Sequence, residues 1–212
     1  MAQQTQTYES TVKIDGLIRR ILDEGGVTPT DTSPSFICPR IREGIYIIKS
    51  MDFVEPKDDV LIFLDDFKCA DGFLGQEDIT MQTIIDYFDA TKRTYALLNY
   101  QEREGRKIVP FSKIVHDGVG QCLEMALMSQ LLFQKRDRTS FLCGGKINQD
   151  SFDAHAWNLI KTEDQYFIWD CALRLYAPLE RAEICEGALF LHPNFEKSVG
   201  NKNMIIYQIG GD

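Results

Sequence analysis

The sequence predicts one α+β domain in which a helix packs against an antiparallel β-sheet. Apolar residues recur at helical spacing between Leu123 and Leu132. Segments 154–160 and 166–170 both have the composition of β-strands, and they flank a short polar turn. The 212 residues, 44% of them hydrophobic, can fill a proper core, so we expect residues 1–212 to form a single domain.

The N-terminal residues 1–40 are predicted to contribute a helix and a loop that cap the domain. Five apolar residues recur at helical spacing before a Gly-Gly pair that would end the helix: Ile14, Leu17, Ile18, Ile21 and Leu22. Three prolines with Thr, Ser and Asp indicate a loop over residues 27–39. The apolar segments 45–48 and 60–64 are each either a strand or a short buried segment.

A long helix is predicted from residue 79 to about residue 100, because apolar residues keep helical spacing there and Asp78 could cap its start. Segment 102–107 is charged and contains a glycine, which indicates an exposed connection. Residues 110–116 then lead into a glycine-bearing turn. That turn ends at Cys122, where the buried helix would begin.

The buried helix is expected to extend to about Gln134 and to be followed by the sheet. Four further segments have strand composition besides 154–160: 139–143, 166–170, 189–191 and 204–207. If Ile160 pairs with Gln165, then His155 lies directly opposite Asp170. Facing residues of an antiparallel pair have Cβ atoms about 5 Å apart on one side of the sheet. The hairpin would therefore bring a histidine to an acid.

Cys122, His155 and Asp170 together predict a nucleophilic site. A free thiol has a pKa of about 8.5, and only its thiolate attacks well. An imidazole can take the proton, and a carboxylate can hold that imidazole in the required tautomer. The N-terminus of a helix adds partial positive charge that favours a thiolate. Each residue alone has an ordinary structural explanation, so the prediction depends on all three.

Auxiliary residues are predicted around the nucleophile. The backbone N–H of Cys122 is the first candidate to bind an oxyanion. The second donor is left open among four side chains: Gln121, His116, Tyr95 and Tyr100. Glu124 is expected to bind a neighbouring backbone group or base. The alternatives to His155 and Asp170 as base and acid are His116, His192, Asp153 and Asp164.

Substrate contact is predicted for Gly120 and Trp157, and a core position is the competing interpretation for Trp157 and for Trp169. Gly118 and Gly120 would let the turn before the cysteine approach its neighbours without a side-chain clash.

These motifs resemble those of the transglutaminase-like superfamily, a group of cysteine enzymes with a papain-like fold. The likeness lies in Gly120-x-Cys122-x-Glu124-x-Ala126, Cys143-Gly-Gly145, His155-Ala-Trp157 and the tryptophan-bearing strand that ends at Asp170. The resemblance implies a papain-like core with helices before the cysteine helix and a sheet after it. It also implies that Cys122, His155 and Asp170 act as nucleophile, base and orienting acid.

The resemblance implies an enzyme that forms a thioester between Cys122 and a carboxamide carbon. Water would then release the product, as in a glutamine deamidase or a peptidase, and hydrolysis is favoured because bacterial members of the group are more often hydrolytic. An amine could instead accept the acyl group, as in a transglutaminase. A non-catalytic protein-binding module with this fold is the remaining alternative. The expected partner is a protein or peptide that carries a carboxamide.

Composition restricts the other partners. A net charge of −9 argues against nucleic acid and anionic membranes, because both favour clustered Lys and Arg. The six cysteines show no CxxC spacing, so no cofactor, metal or disulfide framework is expected, and the five besides Cys122 are interpreted as buried filler. The N-terminus lacks the features of a signal peptide, which favours a cytoplasmic protein. A bacterial effector exported without cleavage is the alternative, and the oligomeric state is left open.

Overall fold

The computed structural model describes residues 14–20, 35–49, 60–88, 101–103, 105–149, 151–163, 165–194 and 205–210. The first part of the chain contains α1 (residues 14–20), β1 (Phe36–Cys38), β2 (Tyr46–Lys49), β3 (Val60–Phe63), a 3₁₀ turn (Phe67–Ala70), α2 (Asp71–Leu74), α3 (Met81–Tyr87), β4 (Gln101–Arg103) and β5 (Arg106–Pro110). The second part contains α4 (Phe111–Asp117), α5 (Cys122–Lys135), β6 (Ser140–Gln149), β7 (Ser151–Lys161), β8 (Tyr166–Asp170), β9 (Leu175–Cys185), β10 (Ala188–Pro193) and β11 (Tyr207–Ile209). The predicted α+β class is confirmed.

The larger sheet is antiparallel and closes on itself. Its strands follow the order β6-β11-β10-β9-β8-β7, and β7 pairs again with β6, so that these six strands form a barrel-like sheet. The short strand β1 also pairs with β6, next to the stretch of β6 that binds β11. A closed sheet leaves few unpaired backbone groups at its edges.

Closure brings β11 very near β6 at Gly145. A Cβ atom at this position would lie 2.0 Å from the carbonyl oxygen of Gln208, which no real side chain tolerates. The two strands pair immediately beside this point, where Tyr207 faces Ile147 and Gln208 faces Lys146. Glycine is therefore required at position 145 for the barrel to close.

The barrel strands share one core cluster, to which α1 contributes from the N-terminal region. Ile14 and Ile18 are each 2% exposed and pack within this cluster. Asp15 on the same helix accepts a hydrogen bond from Lys161 Nζ at 2.7 Å and another from the hydroxyl of Tyr166. Helix α1 is thus fixed to the barrel by both apolar and polar contacts.

The smaller sheet has the order β2-β3-β5-β4, in which β3 and β5 are parallel and the other neighbours are antiparallel. Its apolar side chains share a second core cluster with α3, α4 and α5. The opposite side of α5 packs against β6 and β7, where Asn158 Nδ2 donates to the carbonyl oxygen of Ala126 at 3.1 Å. Residues 123–133 of α5 are all buried, because the helix lies between the two sheets.

Several elements before α5 differ from the prediction. Strand β1 forms inside the segment 27–39 that was predicted to be a loop, since pairing with β6 overrides the effect of the nearby prolines. The predicted long helix is interrupted: α3 is capped by Thr80 instead of Asp78, and it ends at Phe88, which has an extended backbone. Residues 89–100 lie outside the described part of the chain.

The prediction also missed elements on both sides of the nucleophile. Residues 102–107 form most of the β4–β5 hairpin, whose turn uses Gly105 at φ 76, and residues 110–116 are largely helical in α4. Strand β9 was not predicted, because Pro178 and several charged outward-facing residues conceal its alternation. The late strands are confirmed as β10 and β11, although β11 begins only at Tyr207.

The elements that matter most for the site are confirmed. The cysteine helix is observed as α5, and the hairpin after it is observed as β7 and β8. Both elements have a clear local pattern of apolar residues in the sequence. Within the described segments, no helix combines the length and the apolar character that crossing a bilayer requires.

Candidate active site

Cys122 is the first residue of α5, and a tightly packed turn holds it there. Gly118 ends α4 in a left-handed conformation at φ 62, which turns the chain towards α5. A Cβ atom on Gly120 would lie 2.7 Å from both Glu124 Cβ and Phe88 Cδ1. The two glycines therefore permit the close approach that the sequence predicted, and they fix where the helix begins.

The thiol of Cys122 is partly exposed and hydrogen-bonds with His155. Burial alone raises the pKa of this thiol, but the hydrogen bond, the charge of His155 and the charge of Lys49 outweigh that effect and lower the pKa below its ordinary value. The backbone N–H of Cys122 has no partner within the helix at this first position. Cys122 thus places a sulfur with a lowered pKa and an N–H at the start of the helix at the same point.

His155 lies on β7 and links the cysteine to Asp170. Its Nε2 is 2.6 Å from Asp170 Oδ2, and the two side chains are 8% and 0% exposed. Burial alone lowers the pKa of His155, yet the charge and hydrogen bond of Asp170, together with the contact to Cys122, raise it to about 10. A lowered thiol pKa and a raised imidazole pKa favour a thiolate–imidazolium pair at neutral pH.

The ring of His155 has one nitrogen for each neighbour. Nε2 is occupied by Asp170, which leaves Nδ1 for the sulfur of Cys122. The rings of Trp157 and Tyr207 lie on the same side of His155, with centroids 6.1 Å and 6.3 Å from that of the imidazole and 4.7 Å from each other. These neighbours restrict the orientation of the imidazole.

The register of the hairpin differs from the prediction. Lys161 pairs with Tyr166 and Leu159 with Ile168, so the strands are shifted by two residues from the register in which His155 faces Asp170. Beyond the last pair of the ladder, Thr162 N donates to the carbonyl oxygen of Gln165 at 2.9 Å. The predicted pairing was wrong, yet the predicted contact between His155 and Asp170 is present.

Asp170 is held by three hydrogen bonds. Besides His155, its Oδ2 accepts the hydroxyl of Tyr207 at 2.8 Å, and its Oδ1 accepts the backbone N–H of Leu173 at 3.0 Å. Tyr207 is 0% exposed and comes from β11, the strand that closes the barrel. The sequence reasoning missed Tyr207, because no local pattern links a late strand to an acid on β8.

A buried ion pair lies directly behind the nucleophile. Lys49 Nζ is 2.8 Å and 2.9 Å from the two carboxylate oxygens of Glu124, and the side chains are 7% and 0% exposed. Glu124 Oε2 also accepts the backbone N–H of Gln121 at 2.8 Å. Glu124 therefore binds a neighbouring backbone group, as predicted. Lys49 was missed, since its partner lies 75 positions away in the sequence.

The other predicted site residues occupy different positions. Gln121 directly precedes the helix and is partly exposed, while His116 is 86% exposed with its Nδ1 at 2.8 Å from Asp117 Oδ1. Their role as oxyanion donors stays a prediction. Trp157 is 0% exposed and Gly120 is buried, which fits packing roles and argues against direct contact with a substrate.

The rival residues are only partly described. His192 is 7% exposed on β10, and its Nε2 is 3.2 Å from Glu183 Oε1. Trp169 is partly exposed, packs against Phe133 and donates to Ser129 Oγ at 3.1 Å. Four further candidates lie where side chains or whole residues are outside the described part: Tyr95, Tyr100, Asp153 and Asp164.

The remaining cysteines differ electrostatically from Cys122. Burial raises the pKa of Cys38, Cys143, Cys69 and Cys171, the last two to about 11. Three of these four are buried, whereas Cys69 is partly exposed and Cys185 is exposed. The interpretation as buried filler is therefore wrong for Cys185. Cys122 alone among these thiols has an imidazole partner in the described structure.

The arrangement supplies a nucleophile, a general base and an orienting carboxylate, which is the set of groups that acyl transfer requires. The described residues contain no group of three or more His, Cys, Asp or Glu side chains that could hold a metal ion. Comparisons with protein-family models, with curated proteins and with solved structures found no match to this chain.

Proposed function

We propose that this protein is a cysteine-dependent amide hydrolase that acts on a protein or peptide substrate. The proposal is carried by one observation: Cys122, His155 and Asp170 are joined by consecutive hydrogen bonds, with 2.6 Å between His155 Nε2 and Asp170 Oδ2. Three different elements contribute these residues. Their order and their hydrogen-bond contacts match a nucleophile, a base and an orienting acid.

In this proposal the thiolate of Cys122 attacks the carbonyl carbon of a carboxamide. The new C–S bond forms a tetrahedral oxyanion, which the backbone N–H of Cys122 is placed to stabilise. The C–N bond then breaks, and the imidazolium of His155 gives its proton to the leaving nitrogen. Water, deprotonated by the same imidazole, releases the acid from the thioester and restores the thiol.

The transglutaminase-like resemblance supports the same function. The helix that begins at Cys122 packs against an antiparallel sheet, and two neighbouring strands of that sheet carry His155 and Asp170. We infer a papain-like core from this combination. The substrate would be a glutamine side chain in a deamidase or a peptide bond in a peptidase, and transfer to an amine is the competing outcome.

Incubation with glutamine-containing peptides, with and without a primary amine, tests the proposal by mass spectrometry. Deamidation adds about 1 Da, peptidase activity splits the chain, and transamidation gives the mass of the amine adduct. Deamidation or cleavage that Cys122→Ala abolishes is the expected result. An amine adduct as the main product would indicate a transferase. If none of the three products appeared with any peptide of a broad library, the result would support a binding module.

Thiol labelling gives a second test that needs no substrate. Iodoacetamide at pH 6 should alkylate Cys122 much faster than the exposed Cys185, because the hydrogen bond and charge of His155 help to lower the pKa of Cys122. Equal, slow labelling of both would contradict an activated nucleophile.

A further inference from the structure

The ion pair between Lys49 and Glu124 is not explained by stability alone. Both carboxylate oxygens lie within 2.9 Å of the ammonium, and Glu124 is fully buried. Removing two charges from water is expensive, and replacing such a pair with apolar side chains is often neutral or stabilising. A buried pair at the start of the nucleophile helix therefore calls for a reason connected with that place.

Glu124 has a positional task that needs its carboxylate. Its Oε2 accepts the N–H of Gln121 at 2.8 Å, which satisfies a donor at the beginning of α5 and fixes the residue before Cys122. Its Cβ also packs against the site of Gly120. The turn that presents the thiol is thus built around this one side chain.

The same carboxylate is an obstacle to the chemistry. Glu124 lies close enough to Cys122 for its negative charge to raise the pKa of the thiol, which opposes formation of the thiolate. The positive charge of Lys49 acts on the thiol in the opposite direction. The described charged groups that act on the sulfur are therefore His155, Lys49 and Glu124, with Asp170 bonded to His155 on its far side.

We propose that Lys49 is a positioning residue, whose ammonium neutralises Glu124 so that this carboxylate can hold the start of α5 without suppressing the Cys122 thiolate. The inference rests on the proposed function, in which the thiolate is the nucleophile. It gives the smaller sheet a part in the chemistry, because Lys49 is the last residue of β2.

The test compares Lys49→Met, in which Glu124 keeps its charge, with the double variant Lys49→Met/Glu124→Gln in the full chain. Both variants keep an oxygen at position 124 that can accept the Gln121 N–H, so both retain the cap, and they differ only in the charge at that position. The rate of iodoacetamide alkylation at Cys122 is followed by peptide mass spectrometry from pH 5 to pH 10, and thermal unfolding confirms that each variant is folded.

We expect Lys49→Met to label several-fold more slowly than the wild type at pH 6 and above, because the negative charge of Glu124 near the sulfur is no longer neutralised. The double variant should label at a rate close to that of the wild type, because both charges have been removed together. Lys49→Arg should keep the wild-type profile, because it retains the charge.

Two results would overturn the inference. One is equal alkylation profiles for Lys49→Met and the double variant, which would show that the charge of Glu124 does not act on the sulfur. The other is a Lys49→Arg variant that folds but labels as slowly as Lys49→Met. The proposed function fails in a different way: an intact alkylation pattern without turnover of any carboxamide would remove the enzyme but leave the role of Lys49 in place.

Discussion

His155 and Asp170 make a 2.6 Å contact although they do not face each other in the β7–β8 ladder. Continuing the observed register sets Asp170 beside Trp157 instead. A shift of two residues keeps every side chain on its own face of the sheet, whereas a shift of one would reverse it. The diagonal separation of two such residues lies within reach of an imidazole. His155 and Asp170 can therefore meet in the observed register as well as in the predicted one.

The Cys122→Ala variant should lose turnover while keeping its fold. The side chain is small and partly exposed, so its removal leaves no large cavity. We expect kcat to fall by a factor of about 10³ or more, measured on whichever peptide the wild type modifies. The matched control is Cys185→Ala, an exposed thiol at the end of β9, which should retain wild-type kcat. Full activity in Cys122→Ala would mean that another nucleophile acts.

The Asp170→Asn variant should lower kcat by a factor of about 10² to 10⁴. The change preserves size but removes the charge that raises the pKa of His155, so the imidazolium becomes less stable and the Cys122 thiolate forms at higher pH. Alkylation of Cys122 at pH 6 should slow in parallel, while KM changes far less. A variant with wild-type kcat and only reduced thermal stability would make Asp170 a strand-end cap.

The Tyr207→Phe variant should weaken catalysis less than Asp170→Asn does. It removes one donor to Asp170 Oδ2 and leaves the contacts with His155 and the Leu173 amide. Because the buried carboxylate of Asp170 then lacks one hydrogen bond, the free energy of unfolding should fall by about 1–3 kcal/mol. We expect a lower kcat and a shifted pH profile of alkylation. Tyr176→Phe, at a tyrosine 54% exposed, is the control and should change neither.

The pH dependence of alkylation and of kcat/KM should follow the thiolate–imidazolium pair formed by Cys122 and His155. Because the pKa of Cys122 is lowered, the thiolate persists below the pH at which an ordinary thiol becomes protonated. Activity falls on the acid side as the pH passes that lowered pKa. On the alkaline side it falls as His155 loses its proton near its pKa of about 10. The two pKa values that limit activity belong to the coupled pair of Cys122 and His155, not to either residue alone. A single rise near the ordinary thiol pKa would contradict the pair.

The Asp15→Asn variant should weaken the attachment of α1 to the barrel. Burial alone raises the pKa of Asp15, but hydrogen bonds from Lys161 and Tyr166 outweigh it and lower the pKa. A lowered pKa adds stability above the unfolded value, and this stability is lost as the pH falls through the folded value. The variant should therefore be about 1–2 kcal/mol less stable at neutral pH, and the difference should shrink below about pH 4.

Thermal or urea unfolding from pH 3 to pH 8 measures this difference. Glu163→Gln, in the exposed turn between β7 and β8, serves as the control and should match the wild type throughout. A constant difference between Asp15→Asn and the wild type down to pH 3 would show that the carboxylate charge is not the stabilising feature.

The parts of the site that the sequence predicted are those with local signals. The helix after Cys122 has a strong apolar period, and the β7–β8 hairpin has two clear strands around a polar turn. Gly120 was identified from its place before the cysteine, and the structure supplies the cause in its contacts with Glu124 and Phe88. Short-range patterns sufficed for these elements.

The parts that were missed depend on contacts between distant segments. Strand β9 is stabilised by pairing with both β8 and β10, which outweighs the presence of Pro178. The bond from Tyr207 to Asp170 and the pair of Lys49 with Glu124 exist only after β11 and β2 have packed. A single sequence carries no signal for such pairings, because either partner alone looks like an ordinary buried residue.

Closure of the barrel by β11 has a consequence for the order of assembly. This strand fits between β6 and β10 and follows all the other described strands in the chain. On a ribosome, the preceding strands would emerge without their final neighbour, and the ring could not be completed until β11 had been released. Asp170 would lack its Tyr207 partner during that time. The nascent chain should therefore acquire a fully organised arrangement of Cys122, His155 and Asp170 only after synthesis has passed residue 209.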